Sequence, residues 1–383
     1  MDYSLYIHIP FCISKCAYCD FFSKPLASVR DDYVDALCRE IEYRISCNKI
    51  QKLETIYIGG GTPSLLTGGQ FNKIFRTIKT CVEIPGTAEI TVEVNPDDVS
   101  KKLLQDFEEC GVTRISCGIQ SMNDKALKKA CRRADSSMNL QALETFKSCW
   151  KGELSLDLIS GLPGESEKSL LEGLKIVCSA KPQHISLYSL TIEENTPFGR
   201  QLADNSLSYD FDQADRLWLC GRDYLEEEGY EWYEVSNFCL PGKGCRHNLR
   251  YWNHKNYLGC GSGACGSIYS DDGKGFRWTN TRDINEYVNF WLGDGNKAEP
   301  PQDYEYIDLP TSQFEFFMMG LRKIEGVKEG DFKDIFDAPF PENFLELFEK
   351  WQKAGLALRG GDGAFAMSRK GMLFLNKFLE ELC

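Results

Sequence analysis

The first half of the chain alternates short apolar runs with longer segments of helical period. Six runs have the length and the Ile, Val, Leu and Tyr content of strands: Ser4–Ile9, Thr55–Ile58, Glu89–Val94, Arg114–Ile119, Ser155–Ile159 and His184–Leu190. Several are nearly continuous in apolar residues, as parallel strands covered on both faces are. Helical patterns separate them at Arg30–Ser46, Gly69–Thr80, Ser100–Cys110, Asp124–Cys131, Ser136–Trp150 and Glu167–Ala180. Six βα units in series predict an α/β fold whose parallel sheet is either open or curled into a barrel. Both closures place ligands at the carboxyl ends of the strands, so functional residues are expected just after each strand.

Past residue 205 the pattern changes. A helix is expected over Asp210–Glu228. An aromatic region follows, with Trp232, Tyr233, Tyr251, Trp252 and Tyr257, and then the Gly-rich stretch Gly259–Gly263. The polar segment Asn296–Tyr304, with Pro300 and Pro301, reads as a linker. The remainder reads as a separate small unit. Its helices are expected near Thr311–Arg322, Lys328–Phe336 and Pro341–Ala354, then a hairpin of Ala357–Arg359 and Ala364–Met367, then a last helix over Arg369–Leu382. Helices followed by a hairpin predict a winged-helix-like module. Three units are expected: a core over 1–205, an accessory α+β region over 206–295, and the small C-terminal unit over 305–383.

Composition narrows the function classes. The chain has 383 residues; Lys plus Arg is 44 and Asp plus Glu is 57, a net charge of −13. So acidic a chain is a poor general binder of nucleic acid. No nucleic-acid partner is expected, and the winged-helix-like end reads as a structural or partner-docking module. No run approaches the ~20 apolar residues that span a bilayer, so no transmembrane segment is expected. The start, Met1-Asp2-Tyr3, lacks the basic segment of an export signal. A cytoplasmic protein is expected on those grounds, and the 17 cysteines then read as reduced thiols. Most sit singly in helical segments, where a small buried hydrophobe is the simplest reading.

Three cysteines are clustered. The run Ile9-Pro10-Phe11-Cys12-Ile13-Ser14-Lys15-Cys16-Ala17-Tyr18-Cys19 follows the first strand with C-x3-C-x2-C spacing. Structural zinc sites and complete iron–sulfur clusters normally take four ligands. Three thiols leave one iron of a [4Fe–4S] cluster open, and an open iron can chelate the amino and carboxylate groups of S-adenosylmethionine. One electron from the cluster can then cleave the sulfonium and release a 5′-deoxyadenosyl radical.

This loop, with Tyr6-Ile7-His8-Ile9-Pro10-Phe11 leading into Cys12, resembles the radical S-adenosylmethionine superfamily. More narrowly, it resembles the anaerobic coproporphyrinogen III oxidase-like family. Further matches fall at later strand ends, in the family's order. They are Gly59-Gly60-Gly61-Thr62-Pro63, Glu93 in Val92-Glu93-Val94-Asn95-Pro96, and Gln120 in Gly118-Ile119-Gln120-Ser121. Arg132 follows, then Asp157 in Leu156-Asp157-Leu158-Ile159-Ser160-Gly161. The resemblance implies a radical-SAM partial (β/α)6 barrel with Cys12, Cys16 and Cys19 holding the cluster. It also implies an S-adenosylmethionine site of Tyr6, Gly60, Gly61, Thr62, Glu93, Gln120, Arg132 and Asp157, with Tyr18 beside the adenine and Thr191 as a backbone contact. Taken singly, each strand-end carboxylate or amide is equally a helix cap or a solvated group.

Two departures set the chain apart from the oxidase. Phe21 stands where the oxidase carries a fourth cysteine, and only eleven residues precede Cys12, too few for the oxidase's N-terminal arm. Both resemble the haem-chaperone (HemW) branch. A third feature does too: Arg246-His247-Asn248-Leu249-Arg250-Tyr251-Trp252, the pattern H-N-x-x-Y-W. This resemblance implies a haem site, with His247 as iron ligand, Tyr251 and Trp252 as flat surface for the porphyrin, and Arg246 and Arg250 for its propionates. Local chemistry alone also allows a structural His beside a packed aromatic corner, and Cys239 and Cys245 offer competing thiolates. At Gly263-Ala264-Cys265-Gly266-Ser267 the chain departs from the family's G-A-H-S.

The expected function is a haem chaperone that carries haem as cargo to an apo-protein, with an electron donor if the cluster turns over. The alternative is an enzyme, oxidative decarboxylation of coproporphyrinogen III by a deoxyadenosyl radical. A third reading is a metal-binding interaction protein that acts through its C-terminal end.

Overall fold

A computed structural model describes residues 3–293 and 299–383. Twelve strands share one sheet. In chain order they are β1 Tyr3–Ile9, β2 Leu53–Gly60, β3 Glu89–Val94, β4 Arg114–Gln120, β5 Glu153–Ser160, β6 His184–Ser189, β7 Glu231–Glu234, β8 Asn237–Cys239, β9 Tyr257–Cys260, β10 Cys265–Tyr269, β11 Gly275–Asn280 and β12 Gln302–Ile307.

Strands β1 to β6 pair in parallel and in sequence order. The expected helices lie between them, from Asp31–Cys47 to Glu167–Ser179. The α/β class and the six-unit partial barrel are therefore as expected. The strands are not apolar on both faces, however. Leu5, Ile7, Ile56, Ile58, Val92, Ile115, Leu156 and Ile185 are fully buried among the helices. The alternate positions are polar and bond to one another: Ser4 with Thr55, Tyr57 with Glu93, and Ser116 and Ser186 with Asp157. Period-two alternation sends these to the opposite face, which lines the interior.

The sheet does not close, because its edges are β12 and β7. The accessory region continues it on both flanks. β9 pairs parallel to β1, and β10, β11 and β12 follow as antiparallel neighbours. On the far side β8 pairs antiparallel to β6, and β7 to β8. The linker expectation needs correction: Gln302, Asp303 and Tyr304 pair with Asn280, Thr279 and Trp278. An edge strand with exposed Asp303, Tyr304, Glu305 and Tyr306 has the composition of a loop. Residues 296–298 of that segment lie outside the described residues.

The C-terminal unit has the expected order, with helices Leu309–Gly320, Glu329–Phe336 and Glu342–Lys353, then the hairpin Ala357–Arg359 and Phe365–Met367. The expected last helix is split into Arg369–Met372 and Leu375–Leu382. Its first turn is pinned to the hairpin: Ser368 N donates to Leu356 O at 3.0 Å, and Gly371 lies against the same carbonyl with no room for a side chain. Phenylalanines fill this unit, with Phe317 and Phe344 stacked at 4.0 Å, in a core continuous with that of the barrel. Backbone bonds fasten it to β7, Val235 N to Arg322 O and Ile324 N to Tyr233 O, both 3.0 Å. Among the described residues no helix is long and apolar enough to cross a membrane.

Candidate functional site

The loop after β1 is tied down at both ends. Cys12 lies in a two-residue strand paired with Lys24–Pro25. Ala17 N donates to Ala130 O, and Phe198 N to Ala17 O, both at 2.9 Å. Held this way, Cys12, Cys16 and Cys19 are half-buried and line one cavity of about 870 Å³ at the carboxyl ends of the strands. The Thr62 hydroxyl points at Cys12 Sγ (3.4 Å) and an Arg132 guanidinium N–H at Cys16 Sγ (3.5 Å). Burial, together with the neighbouring thiols, pushes the Cys19 thiol up to about 11.

Among the described residues no three His, Cys, Asp or Glu side chains converge as ligands of one metal ion. In a [4Fe–4S] cluster each thiolate holds a different iron, so its ligands stand farther apart than those of a zinc ion. Three thiols around one cavity, with donors aimed at two of the sulfurs, fit a cluster with one open iron. Phe21, at the oxidase's fourth-cysteine position, is 70% exposed. When bound, such a cluster supplies one-electron chemistry.

The other wall of the cavity is built from strand ends. At Gly60 the backbone is left-handed (φ 112°), and a Cβ there would sit 2.5 Å from the His8 imidazole. Gly61 leaves no room for a side chain either, because the Phe11 carbonyl would lie 2.6 Å from its Cβ. These contacts let the β2 loop close against the cysteine loop. Glu93 accepts from Tyr57 Oη (2.8 Å) and Gly60 N (3.1 Å), and burial pushes its carboxyl up to about 7 despite those bonds. Asp157 collects three hydroxyls, Ser116 at 2.7 Å, Ser186 at 2.7 Å and Ser155 at 3.3 Å. Burial raises its carboxyl as well. Gln120 is left-handed (φ 64°) at the end of β4, an uncommon state for a side-chain-bearing residue and one that collects at binding sites. Arg132 donates to Asn95 Oδ1 (3.0 Å) and Gly118 O (2.7 Å).

Tyr6, Tyr18 and Thr191 line the same space, so all ten residues expected to contact S-adenosylmethionine surround one cavity with the three cysteines. His8, Tyr57, Asn95 and Arg282 line it too, beyond the expected set. Inward alternation on β1 and β2 was the available signal for the first two. His8 donates its Nε2 proton to the Phe22 carbonyl (2.9 Å), which leaves Nδ1 to accept from Tyr6 Oη (2.8 Å).

The H-N-x-x-Y-W run forms a helix, Arg246–Trp252, and its side chains part company. Tyr251 lines the cavity and His247 and Trp252 do not. The resemblance implies His247 as a haem-iron ligand, and the structure places its imidazole with both ring nitrogens bonded within the protein. His247 is 1% exposed, with Nδ1 bonded to Thr55 Oγ1 (2.7 Å) and Nε2 to Tyr251 Oη (2.9 Å). Trp252 lies under the Arg322 guanidinium of the C-terminal unit, 5.6 Å from its ring centre. Arg246 is occupied by Thr87 O and Glu54, outside the cavity. The competing thiols are also shut away: Cys239 and Cys245 are buried, which pushes them up to about 11 and about 12. Cys265, in the departed G-A-H-S run, lines the cavity.

Residues 6–176 match the Radical SAM superfamily. Over 98% of its length the chain is 34% identical to the protein named Heme chaperone HemW of Buchnera aphidicola subsp. Schizaphis graminum, and 34% identical to that of Escherichia coli strain K12. In both cases the match covers 97% of the relative. The chain belongs to the HemW family. Among solved structures, coproporphyrinogen III oxidase from Escherichia coli, described as a radical SAM enzyme, superposes with a TM-score of 0.81 at 20% identity. The match covers 100% of this chain and 90% of that one. The HemW-family chain and the oxidase therefore share a fold. A [4Fe–4S] cluster and S-adenosylmethionine are what the superfamily implies, and the three-thiol cavity is compatible with both.

Proposed function

We propose that the chain is a haem chaperone. It carries haem as cargo to an apo-protein, on a scaffold that holds a [4Fe–4S] cluster at Cys12, Cys16 and Cys19. S-adenosylmethionine lies against Glu93, Gln120, Arg132 and Asp157. The observation that carries this reading is 34% identity over 98% of the chain to proteins named Heme chaperone HemW. The cavity supports it: about 870 Å³ is near the upper end of ligand pockets, roughly 300–1,000 Å³. Tyr251 gives aromatic wall for a porphyrin, and exposed Lys15 and Arg282 give charge for its propionates. An electron donor is a further partner if the cluster turns over.

The test uses anaerobically reconstituted protein. Haem is titrated with and without S-adenosylmethionine, and coproporphyrinogen III is offered separately. Saturable haem binding with coproporphyrinogen left intact is expected. Turnover of coproporphyrinogen without haem binding would replace the chaperone reading by the oxidase.

A further inference from the structure

His247 sits under the floor of the cavity with no free valence. Glu89 accepts the backbone N–H groups of Arg246 and His247, both at 2.9 Å, which fixes the start of the helix. The Thr55 hydroxyl donates to Ser4 Oγ at 2.8 Å, so its oxygen takes the Nδ1 proton of His247. Nε2 then accepts from the Tyr251 hydroxyl. Burial, with Arg250 and Arg114 nearby, holds the imidazole down to about 3 and therefore neutral.

The flat face of this ring is also in use. It stacks on Tyr57, with centroids 5.0 Å apart and planes at 28°. Tyr57 meets Tyr6 as well, at 6.3 Å and 29°. The Tyr57 hydroxyl is the donor that holds Glu93 at the cavity wall, 2.8 Å away. Three side chains therefore connect the buried imidazole to the cavity: Tyr251 directly, and Tyr57 with Glu93 behind it. Thr55 and His247 are 192 residues apart in sequence, so this assembly joins the accessory region to the barrel.

We propose that His247 is a positioning residue of the S-adenosylmethionine site and not a ligand of haem iron. It sets the rings of Tyr57 and Tyr251, and through Tyr57 it aims the Glu93 carboxyl at the cofactor. The proposal rests on reading the cavity as the S-adenosylmethionine site.

The experiment measures equilibrium binding of S-adenosylmethionine to cluster-loaded full-length protein, with haem spectra taken in parallel. His247→Ala and Tyr57→Phe are each expected to weaken binding about tenfold, and the double variant no more than either alone, because both act through one contact. His247→Gln, whose amide can donate to Thr55 and accept from Tyr251, is expected to restore most of the affinity. Iron-ligand signatures in the haem spectrum are expected to stay unchanged in every His247 variant.

Additive losses in the double variant would overturn the proposal. So would an unchanged affinity in His247→Ala while Glu93→Gln weakens binding. A changed haem ligand signature in His247→Ala or His247→Gln would return the imidazole to the iron. If Glu93→Gln also leaves the affinity unchanged, the cavity reading itself falls, and the proposal with it. Should His247→Ala not fold, His247→Gln and Tyr57→Phe carry the test: near-native affinity in the first and loss in the second support it, and the reverse overturns it.

Discussion

At the residue scale the cavity separates side chains that look alike in sequence. Cys12, Cys16 and Cys19 face it, whereas Cys38 is buried in the helix Asp31–Cys47, and Cys149 ends the helix Ser136–Cys149. Replacing any of the first three by Ser is expected to abolish the visible absorption of the reconstituted cluster, and Cys38→Ser or Cys149→Ser to leave it intact. A full cluster in all three cavity mutants would refute the ligand assignment. Asp157 differs from an ordinary strand-end carboxylate in holding three serine hydroxyls. Asp157→Ala both removes a wall group and strands those donors. Its S-adenosylmethionine affinity is expected to fall by ~1–3 kcal/mol, read by equilibrium binding.

At the scale of elements, the loop between β2 and the following helix is the most constrained. Gly60→Ala would force a side chain into left-handed backbone and onto the His8 ring. That backbone state alone costs ~1–2 kcal/mol, and the contact adds to it. Lower thermal stability together with weaker cluster retention is expected, since the same loop carries Thr62 to Cys12. In the C-terminal unit Phe344 is fully buried, stacked on Phe317 and packed against Phe340, Phe348 and Phe365. Phe344→Ala is expected to cost ~3–5 kcal/mol in denaturant unfolding. Because this core is continuous with the barrel's, the loss should appear in one cooperative transition.

At the scale of the whole molecule, buried titratable groups set the response to pH. Burial pushes Glu93, Glu165 and Glu234 up to about 7. A raised carboxyl gives stability that is full below about 4.5, its unfolded value, and is lost as pH rises through about 7. All four histidines are lowered by burial: His8, His184, His247 and His254. Their contribution is full above about 6.5 and is lost as pH falls toward their folded values. The two trends oppose each other between about pH 4.5 and 6.5. Below about pH 4.5 the histidine loss continues, and carboxylates held low by their partners, such as Asp32 beside Arg30, Glu54 beside Lys52 and Asp272 at about 2, add to it, so stability of the cofactor-free chain is expected to drop there. Glu93→Gln removes one of the falling terms. Relative to the wild type, its stability is expected to improve as pH rises from 5 to 8, measured by chemical denaturation. Parallel curves for the two proteins would show that Glu93 titrates normally.

Much of this was legible in the sequence, because it is carried by local patterns. Apolar runs of strand length between helical periods determine six βα units, and their order alone forces functional groups to the strand ends. The C-x3-C-x2-C spacing lies within one loop, whereas the glycines, Glu93, Gln120 and Asp157 were legible only through the resemblance to the radical S-adenosylmethionine superfamily. Other features depend on contacts that no local pattern encodes. Gln302–Tyr304 reads as a linker until β11 pairs with it. His247 reads equally as a ligand or as a structural His, and only the fold shows Thr55, Tyr57 and Tyr251 around it. Trp252 leaves its motif to meet Arg322, seventy positions on in the chain. A side chain's partners across a curled sheet are fixed by strand order and register, and only the folded chain brings β2 and the helix Arg246–Trp252 into contact.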